Sequence, residues 1–426
     1  MTLPDHTVIG AGPAGLVAAA TLARAGRQVR VYEKAATVGH RFAGDFQGLE
    51  NWSSSTGVLE RLSQLGIEPT FAHKPFHEVT FYDRALRPSV ARSVDPFFYL
   101  VRRGPEDGSL ERALLDQARS AGAEVLLGQP AEHARRGDIV AIGPRYADGI
   151  ATGYVFPTTL EDQAHCVISE EFAPAGYAYL LIWNGRATLA TCLFKKQNNW
   201  KDARRQTVET FTRLVPDLDM SDARPFTGYG SVFGSTGFSD EAGRLFVGEA
   251  AGLQDPEWGF GMWYAMESGA LAARSIVEGF NYGEAAGEQF HSRREAALFN
   301  RLLFEKLPAG IVPSMLRRKA RSPDLLQGLR HHWAPNALKS AIARAALPRF
   351  SRKRLNHPDR ACHSATCECV WCTHAEECGG PQVCSSRESL ILGQSETAET
   401  SSARPSFDME GVESGETLMR QPGRNP

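Results

Sequence analysis

Apolar positions along the chain change period several times, and each change marks an element. "HTVIGAGPAGLVAAATLARAGRQVRVYEK" runs from a buried strand through a glycine turn into a helix of small residues, then into a second strand. Val58, Leu59, Leu62 and Leu65 hold helical spacing over residues 56–65, with Gly66 as the stop. "HEVTFYD" and "FFYLVRR" read as strands, Ser109 can cap a helix in "LERALLDQARSAG", and "AEVLLG" and "DIVAI" return to buried strands. Over residues 152–194 the pattern turns to β, and "YAYLLIWNGRATLATCLF" sets Asn184-Gly185 between two apolar runs, a strong hairpin signal. A helix is expected from about Trp200 to Leu214, then short strands ending in "GRLFVG", then mostly helix from Gly259 to about Leu355. Beyond Ser385 the chain is Ser, Thr, Glu and Gly with few apolar residues, and disorder is expected there. No internal repeat is visible.

At 426 residues there is room for two or three domains around a sizeable core. A composition of 42% hydrophobic and 23% charged residues is ordinary, and a net charge of -2 gives no reason to expect a nucleic-acid partner. That average hides an asymmetry: positions 301–360 hold fourteen Lys or Arg against three acids, Glu305, Asp324 and Asp359. No apolar run approaches the roughly 18–20 residues that span a bilayer. The first strand begins near His6, leaving no room for a signal peptide, so a cytoplasmic chain is expected.

Gly10, Gly12 and Gly15 form G-x-G-x-x-G between a strand and a helix, the dinucleotide-binding arrangement. Gly10 permits the tight turn, Gly12 lets backbone approach a pyrophosphate, and Gly15 lets helix pack on strand. The helix N-terminus, with Pro13 and Ala14 in its first turn, then faces the phosphates. Glu33 ends the second strand 18 residues after Gly15, where an acid can bond both ribose hydroxyls and disfavours a 2′-phosphate. No second complete motif followed by a helix occurs, since "GYGSVFG" sits among strands. A nicotinamide, or another electron donor, would therefore bind only transiently.

The "GPAG" form of the loop, followed by Lys34 and by Arg41 in "VGHRF", resembles FAD enzymes, as does the downstream "LFVGEAAGLQDPEWGFGM". Gly248 and Glu249 stand at the late flavin motif "GDAAG", whose acid contacts the ribityl chain, with Glu in place of the usual Asp. The turn Asp255–Gly261, with Gly259, is similar to the one that opens the last flavin helix. That resemblance implies amides at Gly261 and Met262 pointing at the isoalloxazine ring. Arg103, seven residues before Leu110, resembles the start of an "R-x-x-F-D-x-x-L" helix without its Phe-Asp pair; it is either a flavin contact or a surface arginine.

Residues 7 to about 279 together resemble the geranylgeranyl reductase family, a branch of the p-hydroxybenzoate-hydroxylase-like flavoproteins. The carriers are "GEAAG" with Gly252 where hydroxylases have His, and the helix positions Ala265, Ser268, Gly269, Ala272 and Ala273. "PAGYAYLLIW" is partly similar to the motif "GY-x-W-x-F-P". The resemblance implies an α/β fold: a discontinuous Rossmann-like FAD-binding domain (1–150 and 235–280) with an inserted antiparallel β-sheet substrate domain (67–100 and 151–234). A basic helical region (281–360), a Cys-rich segment (361–384) and a disordered tail (385–426) complete the expected order. The implied activity is hydride transfer from reduced FAD to a carbon–carbon double bond of a hydrophobic, isoprenoid-like small molecule. The same fold supports two alternatives, a flavin monooxygenase or halogenase and a non-catalytic redox-sensing flavoprotein. The "CGG" cysteine of some relatives is replaced by Ala43 in "HRFAGDF", and no catalytic side chain is assigned. Asn51 and Trp52, in the stretch "GDFQGLENWSS" between the second strand and the next helix, contact substrate or flavin or else pack their loop. Tyr177 and Tyr179 line a pocket or form core, and Trp258 and Trp263 wall a tunnel or form core.

Cys166 and Cys192 sit singly in apolar runs as inert small hydrophobes. The other six cysteines fall between Cys362 and Cys384, and Cys367, Cys369, Cys372 and Cys378 are candidate ligands for zinc or an iron–sulfur cluster. A redox-active or unligated segment is the other reading. "PSMLRRKARS" and "LPRFSRKRL" mix cations with Leu, Phe and Met, which suits peripheral contact with the inner face of an anionic membrane or a solvated helical face.

Overall fold

A computed structural model describes residues 5–351, apart from positions 84, 145–146, 235–236, 308–310, 312–313, 315–317 and 319–323. The cysteine-rich segment, with Cys367, Cys369, Cys372 and Cys378, lies outside the described residues, as do the C-terminal tail, most of "PSMLRRKARS" and the end of "LPRFSRKRL".

The strands are β1 (His6–Ile9), β2 (Val29–Tyr32), β3 (Phe46–Glu50), β4 (His73–Phe76), β5 (Glu78–Tyr82), β6 (Pro88–Arg92), β7 (Phe98–Arg102), β8 (Glu124–Leu126), β9 (Ile139–Val140), β10 (Gly149–Pro157), β11 (Gln163–Val167), β12 (Tyr177–Trp183), β13 (Arg186–Leu193), β14 (Arg224–Gly230) and β15 (Leu245–Phe246). The helices are α1 (Pro13–Arg24), α2 (Val58–Gln64), α3 (Leu110–Ser120), α4 (Trp200–Leu214), α5 (Met262–Glu278), α6 (Tyr282–Lys306), α7 (Leu325–Trp333) and α8 (Ala337–Ser351).

Three sheets organise the chain. The first is parallel, in the order β15-β9-β1-β2-β8, so its outer strand comes from far downstream. The second, β14-β10-β13-β12-β11-β5-β6, is antiparallel except where β5 joins β11. The third, β3-β7-β4, is antiparallel, and its strands interleave in sequence with those of the other two. This is the expected α/β fold: a Rossmann-like layer, separate antiparallel sheets and C-terminal helices.

Local chemistry explains the elements. Asn184 (φ +50°) and Gly185 (φ +74°) both take the left-handed region that a two-residue hairpin turn demands between β12 and β13. The Ser109 hydroxyl accepts from the Arg112 amide and caps α3. Helices α1 and α5 approach so closely that a Cβ on Gly269 would lie 2.1 Å from the Ala14 carbonyl oxygen. The Ser268 hydroxyl accepts from the Gly248 amide at 2.8 Å. The Ser268-Gly269 pair thus packs the last Rossmann helix against the first.

One expectation needs correction. The stretch after β2 is more than a loop, because Phe46–Glu50 forms β3 and pairs residue by residue with β7. Central Gly48 lowers its local strand propensity, but a Cβ there would sit 3.2 Å from the Phe98 ring, so the glycine is what lets β7 close over it. The strand is a product of pairing with residues fifty positions away.

Candidate active site

A cavity of about 540 Å³ lies where the three sheets meet. One wall is the glycine loop. A Cβ on Gly10 would lie 2.5 Å from the Ala141 carbonyl oxygen, and one on Gly15 would lie 1.9 Å from that of Gly10. Both glycines are demanded by packing. Gly12 differs: no atom lies within 4 Å of its Cβ position, and it lines the cavity with Pro13 and Ala14. Its bareness serves whatever enters from outside. No side chain caps α1, and none caps α5 where Gly261 and Met262 also border the cavity. Two helix N-termini therefore turn partial positive charge towards one space.

Glu33 ends β2 at the cavity rim. Its carboxylate accepts from the Ala11 amide at 2.8 Å and from the Ala35 amide at 2.9 Å, tying strand end to glycine loop. Lys34 lines the same rim. Arg41 donates to the Tyr229 carbonyl at 2.6 Å and stands 3.7 Å from Glu249. Glu249 also accepts from the Ser231 amide at 2.8 Å. Burial raises its carboxyl above the usual range, and Arg41 and the Ser231 amide partly offset this.

Arg103 is no surface residue. It is buried on the cavity wall, stacks over the Phe42 ring at 4.0 Å, donates from Nε to Glu111 at 2.7 Å and from Nη1 to Gln47 at 2.5 Å. Glu111 also accepts from the Gly104 amide at 3.0 Å.

The other end of the cavity is apolar and aromatic. Tyr177 and Tyr179 face it from β12, with Cys192 and Cys166 directly opposite them on β13 and β11. Tyr177 donates to the Trp258 carbonyl at 2.8 Å, which fixes the turn before α5. Burial pushes both thiols up to about 12, so they remain protonated small hydrophobes. His40 and His165 also border the cavity, and burial pushes each down to about 4, so both imidazoles are neutral at pH 7. Trp52 meets Phe260 edge-on at 5.0 Å between ring centres and Trp333 at 5.6 Å. Leu325, Leu329 and Trp333, spaced four apart along α7, present one face of that helix as the end wall. Asp324 caps α7 and accepts from the Ser93 hydroxyl at 2.7 Å, while His332 meets Glu257 at 2.9 Å.

Four expected contacts are not brought to the cavity. Gly15 and Gly248 lie behind its wall and serve helix packing. The Asp255 carboxylate turns back on its own loop, accepting from the Glu257 and Trp258 amides at 3.2 and 3.0 Å. Burial first, and then Glu257, pushes Asp255 up to about 8. Asn51 accepts from the Val58 amide and donates to the Pro96 carbonyl, pinning α2 to the strand before it. Gly10, Gly12, Glu33, Lys34, Arg41, Arg103, Glu249, Gly259, Gly261, Met262, Trp52, Tyr177, Tyr179 and Trp258 do share the cavity, whereas Trp263 is core. The sequence reading missed Asp45 and Gln47, which line the cavity between Arg103 and Tyr179, and the α7 face at its far end. Acidic Asp45 between Gly44 and Phe46, and the four-residue spacing on α7, were the available signals.

The wall fits a dinucleotide. Beyond the glycine loop and the Glu33 rim, it holds two buried polar atoms without a protein hydrogen-bond partner, Trp258 Nε1 and Gln254 Oε1. Such atoms call for a ligand with polar groups of its own. Among the described residues no group of three or more His, Cys, Asp or Glu could hold a metal ion, and no helix is long and apolar enough to cross a membrane.

A parallel Rossmann-like sheet joined to an antiparallel sheet over a shared cavity is the expected α/β fold, and solved flavoproteins share it. Residues 8–46 match the NAD(P)-binding Rossmann-like domain family. No curated protein sequence matches the chain. Among solved structures it is similar to a geranylgeranyl bacteriochlorophyll reductase-like protein from Thermoplasma acidophilum, with a TM-score of 0.61 and 17% identity over 82% of this chain and 98% of that one. A flavoprotein/dehydrogenase from Cytophaga hutchinsonii gives 0.58 and 14% over 82% and 99%. A flavin-dependent brominase gives 0.56 and 18% over 83% and 100%. At these identities the likeness is one of fold.

Proposed function

We propose that the chain is an FAD-dependent oxidoreductase that reduces a carbon–carbon double bond of a hydrophobic small molecule. The observation that carries this reading is the continuity of one cavity, from a glycine loop bare towards a ligand to an aromatic chamber walled by Trp52, Phe260 and Trp333. A polar dinucleotide and an apolar partner fit its two ends. When bound, FAD supplies two-electron hydride chemistry that no side chain provides.

The residues divide the remaining work. Gly12 and the α1 N-terminus take the pyrophosphate, Glu33 the ribose, and Arg41 with Glu249 the middle of the cofactor. Gly261 and Met262 offer backbone amides where negative charge develops on the reduced ring. Tyr177 holds the preceding turn through the Trp258 carbonyl. The chamber excludes water and holds the alkene. An isoprenoid-like substrate is supported by the fold shared with a geranylgeranyl bacteriochlorophyll reductase-like protein. Electrons would come from a transiently bound nicotinamide or another donor.

The test is anaerobic incubation of chemically reduced, FAD-loaded protein with an allylic isoprenoid. A product heavier by two hydrogens is expected. A hydroxylated or halogenated product formed only after air is admitted would replace this reading by the monooxygenase or halogenase one.

A further inference from the structure

Among the described residues two buried acids line the cavity, Asp45 and Glu111, and Glu111 is spent on Arg103. Asp45 accepts at Oδ1 from the Ala43 amide at 3.1 Å and at Oδ2 from the Gln47 side-chain amide at 2.9 Å. With its own backbone amide as a third donor, the carboxyl keeps one of its four lone-pair sites for a proton or a ligand. The backbone around it is pinned. The Arg103 amide donates to the Asp45 carbonyl at 3.0 Å, Arg186 donates to the Gly44 carbonyl at 3.1 Å, and the Phe46 amide donates to the Thr188 hydroxyl at 2.8 Å.

The two cations nearest Asp45 have acids of their own. Arg103 donates from Nε to Glu111 and reaches Asp45 only through Gln47, whose Oε1 takes one guanidinium proton while its Nε2 serves Asp45. Arg186 lies 3.6 Å from Glu106. The remaining titratable neighbour, Tyr179, faces the same cavity. Burial outweighs the Gln47 and Ala43 hydrogen bonds and the Arg103 charge, and raises the Asp45 carboxyl above its ordinary range.

We propose that Asp45 is the proton donor of the reduction, its carboxyl held against the substrate chamber by Gln47 and Ala43. This rests on the function proposed above. With reduced FAD bound as the hydride source, a C–H bond would form at one alkene carbon as the π bond breaks, and Asp45 would give its O–H proton to the other carbon. The two electrons lost by the cofactor would reduce the alkene, and the Asp45 carboxylate would regain a proton from water. Gln47 is a positioning residue that aims the carboxyl without giving it a full positive charge.

The test pairs two readouts on the FAD-loaded chain. In infrared difference spectra of wild type against Asp45→Asn, a protonated-carboxyl band at neutral pH is expected to disappear in the variant. In anaerobic single turnovers with an allylic isoprenoid, Asp45→Asn should slow flavin reoxidation on the order of 10²–10⁴-fold while binding FAD as wild type does. Asp45→Glu, which retains the acid, should recover part of the rate. Reoxidation of Asp45→Asn at the wild-type rate, or no carboxyl band, overturns the donor assignment and leaves the reductase reading standing. A wild-type protein that saturates no double bond removes both.

Discussion

The two ends of the cavity are built to different tolerances. At the glycine loop, backbone meets backbone: the Cβ positions of Gly10 and Gly15 lie 2.5 and 1.9 Å from the carbonyl oxygens of Ala141 and Gly10, in the turns just beyond β9 and β1. At the chamber, ring meets ring, with Trp52, Phe260 and Trp333 spaced 5.0 to 5.6 Å apart. Side chains can repack where backbone cannot. On the proposed function, one end is built for a constant ligand and the other can vary with the substrate.

The largest effect should come from the acid that holds Arg103. Glu111→Ala leaves the Arg103 guanidinium buried without its carboxylate and should cost about 3–5 kcal/mol in denaturant unfolding. Gly15→Ala comes next, at about 3 kcal/mol, because the new methyl group meets the Gly10 carbonyl. Gly12→Ala separates ligand from packing. It should unfold within about 0.5 kcal/mol of wild type, yet bind FAD at least tenfold more weakly, about 1.4 kcal/mol. Equal loss of stability in the Gly12 and Gly15 variants would erase the distinction between them. At the far end, Trp333→Ala should cost about 1–2 kcal/mol and shift preference towards bulkier substrates, read as relative kcat/KM across a size series.

The smallest effect concerns the turn between the two ends. Asp255 is pushed from 3.8 up to about 8 in the folded chain. Between about pH 4 and pH 8 the folded state keeps a proton that the unfolded state has lost, so stability from this group is full below pH 4 and falls as pH rises towards 8. Glu50, pushed from 4.5 up to about 7, adds to the same slope. Asp255→Asn should flatten that slope in urea midpoints measured across the window; an unchanged slope would show that Asp255 ionises normally.

The contrast between the ends also explains what could be read from the chain. Helix α4 and the Asn184-Gly185 hairpin follow from spacing and turn chemistry within about fifteen residues, and they form as expected. The Rossmann start is legible for the same reason. Strand β3 reads as loop in the sequence because its partner β7 lies fifty positions on. The α7 face was missed because nothing near residues 325–333 indicates that it will meet Trp52. Asp255 and Asn51 misled in another way: a buried polar side chain that serves its own turn looks the same in sequence as one that serves a ligand.

The most direct measurement is the visible spectrum of purified protein after incubation with FAD and gel filtration, for wild type beside Gly12→Ala. Retained flavin absorption in the wild type, lost or sharply reduced in a variant that unfolds normally, is the predicted result. Wild-type protein that emerges without flavin would contradict the assignment of the cavity.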